Sequence, residues 1–292
     1  MQNQSKAYFL ASFVILFWAT AASAFKFSLR FLNTIDLLFF SSLTASIVLF
    51  FVLIFSNKIA DIRSYSIRDL GISTLLGILN PFLYYLILFQ AYSLLPGQMA
   101  QPLNFVWPIT TVLLSIPILK QKIGFKSISA ILISFLGVII ISTKGRFDLI
   151  NLESPLGISL ALGSSVIWAL FFLLNARSEK NEIITLFISF LTGTIVILIL
   201  FIPQLTKPEI EGLLGAIYIG VFEMAISFLL WIKALKLSTT TAQVSNLVYL
   251  TPFLALVFLR IFIGEKILIS TVIGSILIIS GIIYQRYLEE KT

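Results

Sequence analysis

The sequence predicts an all-α polytopic membrane protein of ten transmembrane helices, built as two inverted five-helix repeats. Three observations predict it: a composition too apolar for a water-facing surface, apolar blocks of bilayer length, and a second half that repeats the first. Of the 292 residues, 59% are hydrophobic and 11% charged, and the mean hydropathy is +1.04. A soluble domain carries roughly a quarter charged residues. Blocks of about 20 apolar residues are what a helix needs to cross the hydrocarbon core.

The blocks cover residues 7–27, 35–55, 69–94, 98–119, 124–142, 155–175, 183–203, 211–235, 241–262 and 267–285. Polar or helix-ending residues separate them, among them Ser56-Asn57-Lys58, Pro96-Gly97, Lys120-Gln121-Lys122, Thr143-Lys144-Gly145 and Lys207-Pro208. The first block follows Lys6 and holds Ala22-Ser23-Ala24, so it resembles a secretory leader with a small-residue cleavage site. It continues to Phe25, and a matching segment recurs in the second half, so the expectation is a first transmembrane helix.

The net charge is +7, but the Lys and Arg residues stand at block ends rather than in a basic patch with interleaved aromatics, so no nucleic-acid partner is expected. Most of them, such as Lys58, Arg63 and Arg68, or Lys120, Lys122 and Lys126, fall on the side that also holds both termini. The positive-inside rule then places both termini in the cytoplasm, which an even number of spans requires. Cysteine and histidine are both absent. That removes disulfides, thiolate and imidazole metal ligands, His-activated nucleophiles and His proton relays. No cofactor, metal or enzymatic activity is expected.

The repeat is read directly from the register. A shift of 144 brings Leu103 onto Leu247, Phe105 onto Tyr249, Pro108 onto Pro252, Lys122-Ile123 onto Lys266-Ile267 and Gly137 onto Gly281. A shift of 150 brings Phe17-Trp18-Ala19 onto Ile167-Trp168-Ala169. The division falls at residues 1–150 and 151–292. Five spans is an odd number, so the second half enters the membrane upside down. Inverted halves can exchange conformations, which is the architecture of alternating access with a small-molecule substrate near the midplane.

These features resemble the drug/metabolite transporter superfamily, in particular its bacterial ten-helix members built from two EamA-type repeats. The resemblance rests on the paired halves, Trp18 and Trp168, Pro108 and Pro252, Gly264-Glu265-Lys266, and Gly137 and Gly281. It departs in the first half, where Lys120-Gln121-Lys122 has no acid to match Glu265. The resemblance implies a transporter of the cell inner membrane, most similar to exporters of aromatic amino acids and related metabolites. A multidrug or organic-cation exporter is the alternative within the same superfamily. An intramembrane enzyme lacks the His, Cys or clustered acids it needs. A channel, which normally needs charged rings or oligomeric symmetry, is the less favoured alternative.

Candidate substrate-binding residues are polar or aromatic side chains placed inside spans. Trp18, Trp107 and Trp168 lie mid-span, where an indole N–H needs a partner, whereas Trp231 suits the headgroup level. Helix packing and cavity lining are both open for these rings. Asn80 precedes Pro81 and is followed by Tyr84 and Tyr85. Gln98, Gln101, Asn104 and Trp107 step by three along the fourth span, and Gln243, Asn246 and Tyr249 do so in the ninth. Such stripes face protein or water, since unsatisfied amides in hydrocarbon cost several kcal/mol. Glu223 is the acid well inside a span, suited to a proton or to a substrate amino group. Pro81, Pro108 and Pro252 are candidate hinges, and Pro117 also lies in a span.

Overall fold

The computed structural model describes residues 3–119, 125–146, 154–175, 180–238 and 246–289. The described chain is helical, without strands. Its membrane helices are α1 (Gln4–Ser28), α2 (Thr34–Phe55), α3 (Ile67–Leu94), α4 in two pieces (Gly97–Asn104 and Trp107–Leu119) and α5 (Phe125–Ser142). The second half supplies α6 (Pro155–Asn175), α7 (Glu182–Gln204), α8 (Ile210–Leu237), α9 (Leu247–Ile263) and α10 (Ile269–Glu289). Of these, α1, α2, α3, α6, α7 and α8 are each long and apolar enough to cross a membrane unaided. Side chains such as Phe9, Phe51, Leu132 and Ile199 point outward from the bundle, as lipid-facing residues do.

Polar residues start the helices where the sequence breaks. The Asn33 side chain accepts the N–H groups of Ile35 and Asp36 at 2.9 Å each, and Asn181 accepts that of Ile183 at 3.1 Å. Ser66 and Asp69 form a reciprocal capping box at the head of α3. Beside it, Lys180 Nζ lies 2.8 Å from the Asp69 carboxylate, which raises the ammonium above its ordinary value. These caps satisfy N–H groups that have no partner within a helix.

Helix pairing has two-fold symmetry. α1 packs on α8 and α9, and α6 packs on α3 and α4. α2 packs on α8, and α7 on α3, while α2 meets α7 and α5 meets α10. Exchanging the halves leaves this pattern unchanged. Equivalent residues touch where the axis passes: Ser46 and Thr194, related by a shift of 148, are bonded at 3.1 Å. Ser134 Oγ donates to the Ile278 carbonyl at 3.1 Å, across a shift of 144.

Glycines make the symmetric contacts possible. A Cβ on Gly77 of α3 would collide with the Ser189 carbonyl oxygen of α7. On Gly220 of α8 it would lie 2.5 Å from the carbonyl oxygen of Ser41 in α2. Small residues let backbones approach this closely, and van der Waals packing is what holds helices together in lipid.

Two expectations change in form. The fourth apolar block, 98–119, is two helices separated at Phe105 and Val106 rather than one. Pro108 consequently starts the second piece, and Pro252 likewise sits in the first turn of Thr251–Phe258. A proline there removes an N–H that has no helical partner anyway, so neither ring distorts a continuous helix.

Candidate substrate site

α3 and α8, equivalent under the two-fold, are both disturbed near their middle. π-helical turns run over Ile78–Leu83 and Ile219–Ile226. In α3 the Asn80–Pro81 peptide is cis and Asn80 is non-helical at φ −147° and ψ 117°. The Pro81 ring fills the space beside Gly193 of α7, where a Cβ would lie 2.7 Å from it. A shift of 143 places Asn80 on Glu223 and Tyr85 on Phe228, and all four are buried.

Tyr85 and Glu223 meet across the seam. The Tyr85 hydroxyl lies 2.7 Å from each carboxyl oxygen of Glu223 and donates its single hydrogen to one of them at a time. No Lys or Arg pairs with Glu223 among the described residues. The equivalent pair, Phe228 and Asn80, cannot make such a bond. Asn80 is fully buried, and neither its Nδ2 nor its Oδ1 has a partner among the described residues. An amide so placed costs energy unless water or a bound molecule satisfies it.

An aromatic ladder continues from Tyr85. Its ring meets Tyr84 edge-on at 4.7 Å, and Tyr84 meets Trp168 of α6 at 4.9 Å. Trp168 then contacts Phe228 at 5.5 Å, Phe171 at 5.6 Å and Trp107 at 6.4 Å. Polar groups fix the neighbouring helices. Asn104 Nδ2 donates to Ser164 Oγ at 2.9 Å, and Asn104 Oδ1 accepts a long bond from the Tyr84 hydroxyl at 3.4 Å. Gln101 Oε1 accepts the Tyr92 hydroxyl at 2.5 Å.

The structure therefore brings together Asn80, Tyr84, Tyr85, Asn104, Trp107, Trp168 and Glu223 in and around the seam. Trp18 stands apart, its ring 5.4 Å from Trp231, which is half-buried against the core. Tyr249 is half-buried against the core in the turn that precedes Thr251. The Asn246 side chain and all of Gln243 lie outside the described residues. The fourth-helix stripe does not act as one face: Gln98 bonds to the α9–α10 turn, Gln101 to α3, and Asn104 to α3 and α6.

Residues that the sequence did not single out complete the picture. Ser164 receives Asn104, and Tyr92 engages Gln101. Asp36 is fully buried at the head of α2 and accepts the Thr206 N–H at 2.9 Å as well as its hydroxyl. Only the helix pairing identifies these partners, because none repeats in register.

A multi-pass helical bundle with an aromatic and polar seam between two equivalent halves defines an integral membrane protein with its candidate site between the halves. The EamA-like transporter family matches the chain twice, over residues 5–143 and 155–285. The chain belongs to that family, within the drug/metabolite transporter superfamily. It is similar to an uncharacterized transporter of Archaeoglobus fulgidus, 25% identical over 283 residues, 95% of this chain and 97% of the relative. An uncharacterized transporter of Clostridium kluyveri is 26% identical over 252 residues, 82% of this chain and 81% of the relative. A solved crystal structure shares the fold at a TM-score of 0.68 and 18% identity, over 99% of each chain.

Proposed function

We propose that the protein is a secondary-active or facilitative carrier that exports aromatic or large neutral amino acids and related small metabolites by alternating access. The observation that carries this reading is the two-fold exchange of helix contacts, with Tyr85 of one half bonded to Glu223 of the other at 2.7 Å. Halves that swap contacts without changing their number have two states of similar energy. The seam between them is where a molecule passes. The rings of Tyr84, Trp107 and Trp168 suit an aromatic or large apolar side chain. The unpartnered Asn80 amide and the Glu223 carboxyl suit an amino group and a neighbouring polar group. Pro81, Pro108 and Pro252 stand at interruptions of α3, α4 and α9 and act as hinges.

The absence of a cation beside Glu223 among the described residues favours a second reading, a multidrug or organic-cation exporter. In either case the two repeats are residues 1–150 and 151–292, and both termini lie on the cytoplasmic side of the cell inner membrane. Counterflow of radiolabelled cargo in proteoliposomes, run as a competition panel of amino acids and organic cations, tests the reading. Saturable counterflow competed by aromatic amino acids supports it. Competition by organic cations alone selects the second reading, and unsaturable flux sinks both. Glu223→Gln lowers the transport rate and alters its pH dependence; an unchanged rate and profile removes Glu223 from the site.

A further inference from the structure

The end of the bundle where α1 stops and α10 begins carries polar contacts that neither the seam nor its aromatic ladder explains. Gly264, at φ +79°, turns the chain after α9 and presents Glu265 to the start of α4. Glu265 accepts the N–H groups of Gly97 at 2.8 Å and Gln98 at 3.0 Å. These belong to the first turn of Gly97–Asn104 and have no partner within the helix, and a carboxylate also suits the positive end of its dipole. Gln98 reciprocates. Its Nε2 donates to the Lys266 carbonyl at 2.8 Å, and its Oε1 accepts the Leu268 N–H at 2.8 Å and the Thr271 hydroxyl at 3.2 Å. Every one of these bonds joins the first half of the chain to the second.

We propose that Glu265 and Gln98 form a clamp that holds the two halves shut at the end opposite the termini. The clamp is thereby one gate of the carrier, a step that rests on the alternating-access reading. Its chemistry suits opening and closing. A cleft of about 630 Å³, lined by Lys26, Arg30, Gln98 and Glu265 among others, opens beside it. Water there can replace each bond as the halves part, whereas apolar helix contacts deeper in the bundle have no such substitute. Lys26 donates to the Tyr92 and Leu95 carbonyls at 2.9 and 3.0 Å, holding the α3–α4 turn on α1. The α3–α4 turn therefore moves with α1 as one body.

The clamp is also unequal between the halves. In the repeat register Glu265 falls on Gln121, so only the second half carries a carboxylate at this position. A charged cap holds its helix start more strongly than a neutral amide does. The repeat is therefore asymmetric at this position, and the second half alone supplies a carboxylate to cap a helix of the first.

The natural chain has no cysteine, so one introduced thiol reports on the clamp without background. Met99 is fully buried beside the cleft, and Ser93 is exposed at its rim. The purified full chain carrying Met99→Cys is labelled with a charged maleimide, with Ser93→Cys as the reference. Loss of bonds to a charged group corresponds to about tenfold or more in the open population. Glu265→Ala therefore raises the Met99→Cys labelling rate by about tenfold or more and leaves the Ser93→Cys rate unchanged. Glu265→Gln and Gln98→Ala, each of which keeps part of the clamp, give smaller increases and stand in if the first variant does not fold. Equal Met99→Cys rates in the parent and in all folded variants overturn the proposal. Faster labelling in a protein that shows no counterflow upholds the clamp and sinks the carrier reading instead.

Discussion

Replacing Tyr85 with phenylalanine removes one oxygen and leaves the ring that packs on Tyr84 and Phe89 in place. The phenol is the donor to Glu223, at 2.7 Å, and no other donor to that carboxyl is found among the described residues. An intramolecular hydrogen bond contributes about 0.5–1.5 kcal/mol net, and a buried acceptor left alone adds about 1–3 kcal/mol of desolvation cost. Tyr85→Phe should therefore destabilise by about 2–4 kcal/mol, or roughly 30-fold to nearly 1000-fold in the unfolding equilibrium. Removing both partners behaves differently, because two apolar groups leave nothing unsatisfied. Tyr85→Phe combined with Glu223→Leu should return to within about 1 kcal/mol of the parent. Reversible unfolding in mixed micelles gives the stabilities, and counterflow on the same preparations gives transport. The expected pattern is an unstable single variant and a stable double variant that does not transport. A Tyr85→Phe protein as stable as the parent, or a double variant less stable than the single, would refute the pairing as described.

The two-fold predicts matched effects at matched glycines: Gly77→Val and Gly220→Val should each cost about 1–3 kcal/mol by overpacking against α7 and α2. Unfolding measurements in which one variant loses more than about three times what the other loses would contradict equivalent packing. Trp168→Ala removes ring contacts to Tyr84, Phe228, Phe171 and Trp107, each worth about 0.5–1.5 kcal/mol. It should cost about 2 kcal/mol or more and weaken competition by aromatic cargo more than by aliphatic cargo. Asn104→Ala breaks the bond to Ser164, whose hydroxyl keeps the Ala161 carbonyl at 2.6 Å. Interhelical bonds in membranes average about 0.6 kcal/mol, so this variant should fold normally, and a large loss of stability would show the bond to matter more than its geometry implies.

Most helix limits were legible because apolar length and polar punctuation are local properties. The block expected at 155–175 coincides with α6, and those at 35–55 and 69–94 fall within two residues of α2 and α3 at each end. The break at Phe105 and Val106 was not legible, since both residues are apolar and neither bends a helix by itself. Prolines 102 and 108 flank that break, and the fit of the two pieces against α6 sets the direction of each. Of the site, Asn80, Tyr84, Tyr85, Trp168 and Glu223 announced themselves as polar or aromatic groups inside apolar spans. Their partners did not, because Tyr85 and Glu223 are 138 residues apart and only the crossing of α3 near α8 joins them.

By itself the sequence determined that the chain lives in a bilayer, where most of its helices begin and end, and that one half repeats the other. These follow from composition, length and register, which require no knowledge of which helix touches which. Tertiary structure alone decided which helices pair, where the axis passes, and which amides are satisfied. It left Asn80 without a partner among the described residues and gave Tyr85 to Glu223, because the second half carries Phe228 where the first carries Tyr85. In a medium that offers no water to unpaired groups, that one oxygen separates the two sides of an otherwise symmetric seam.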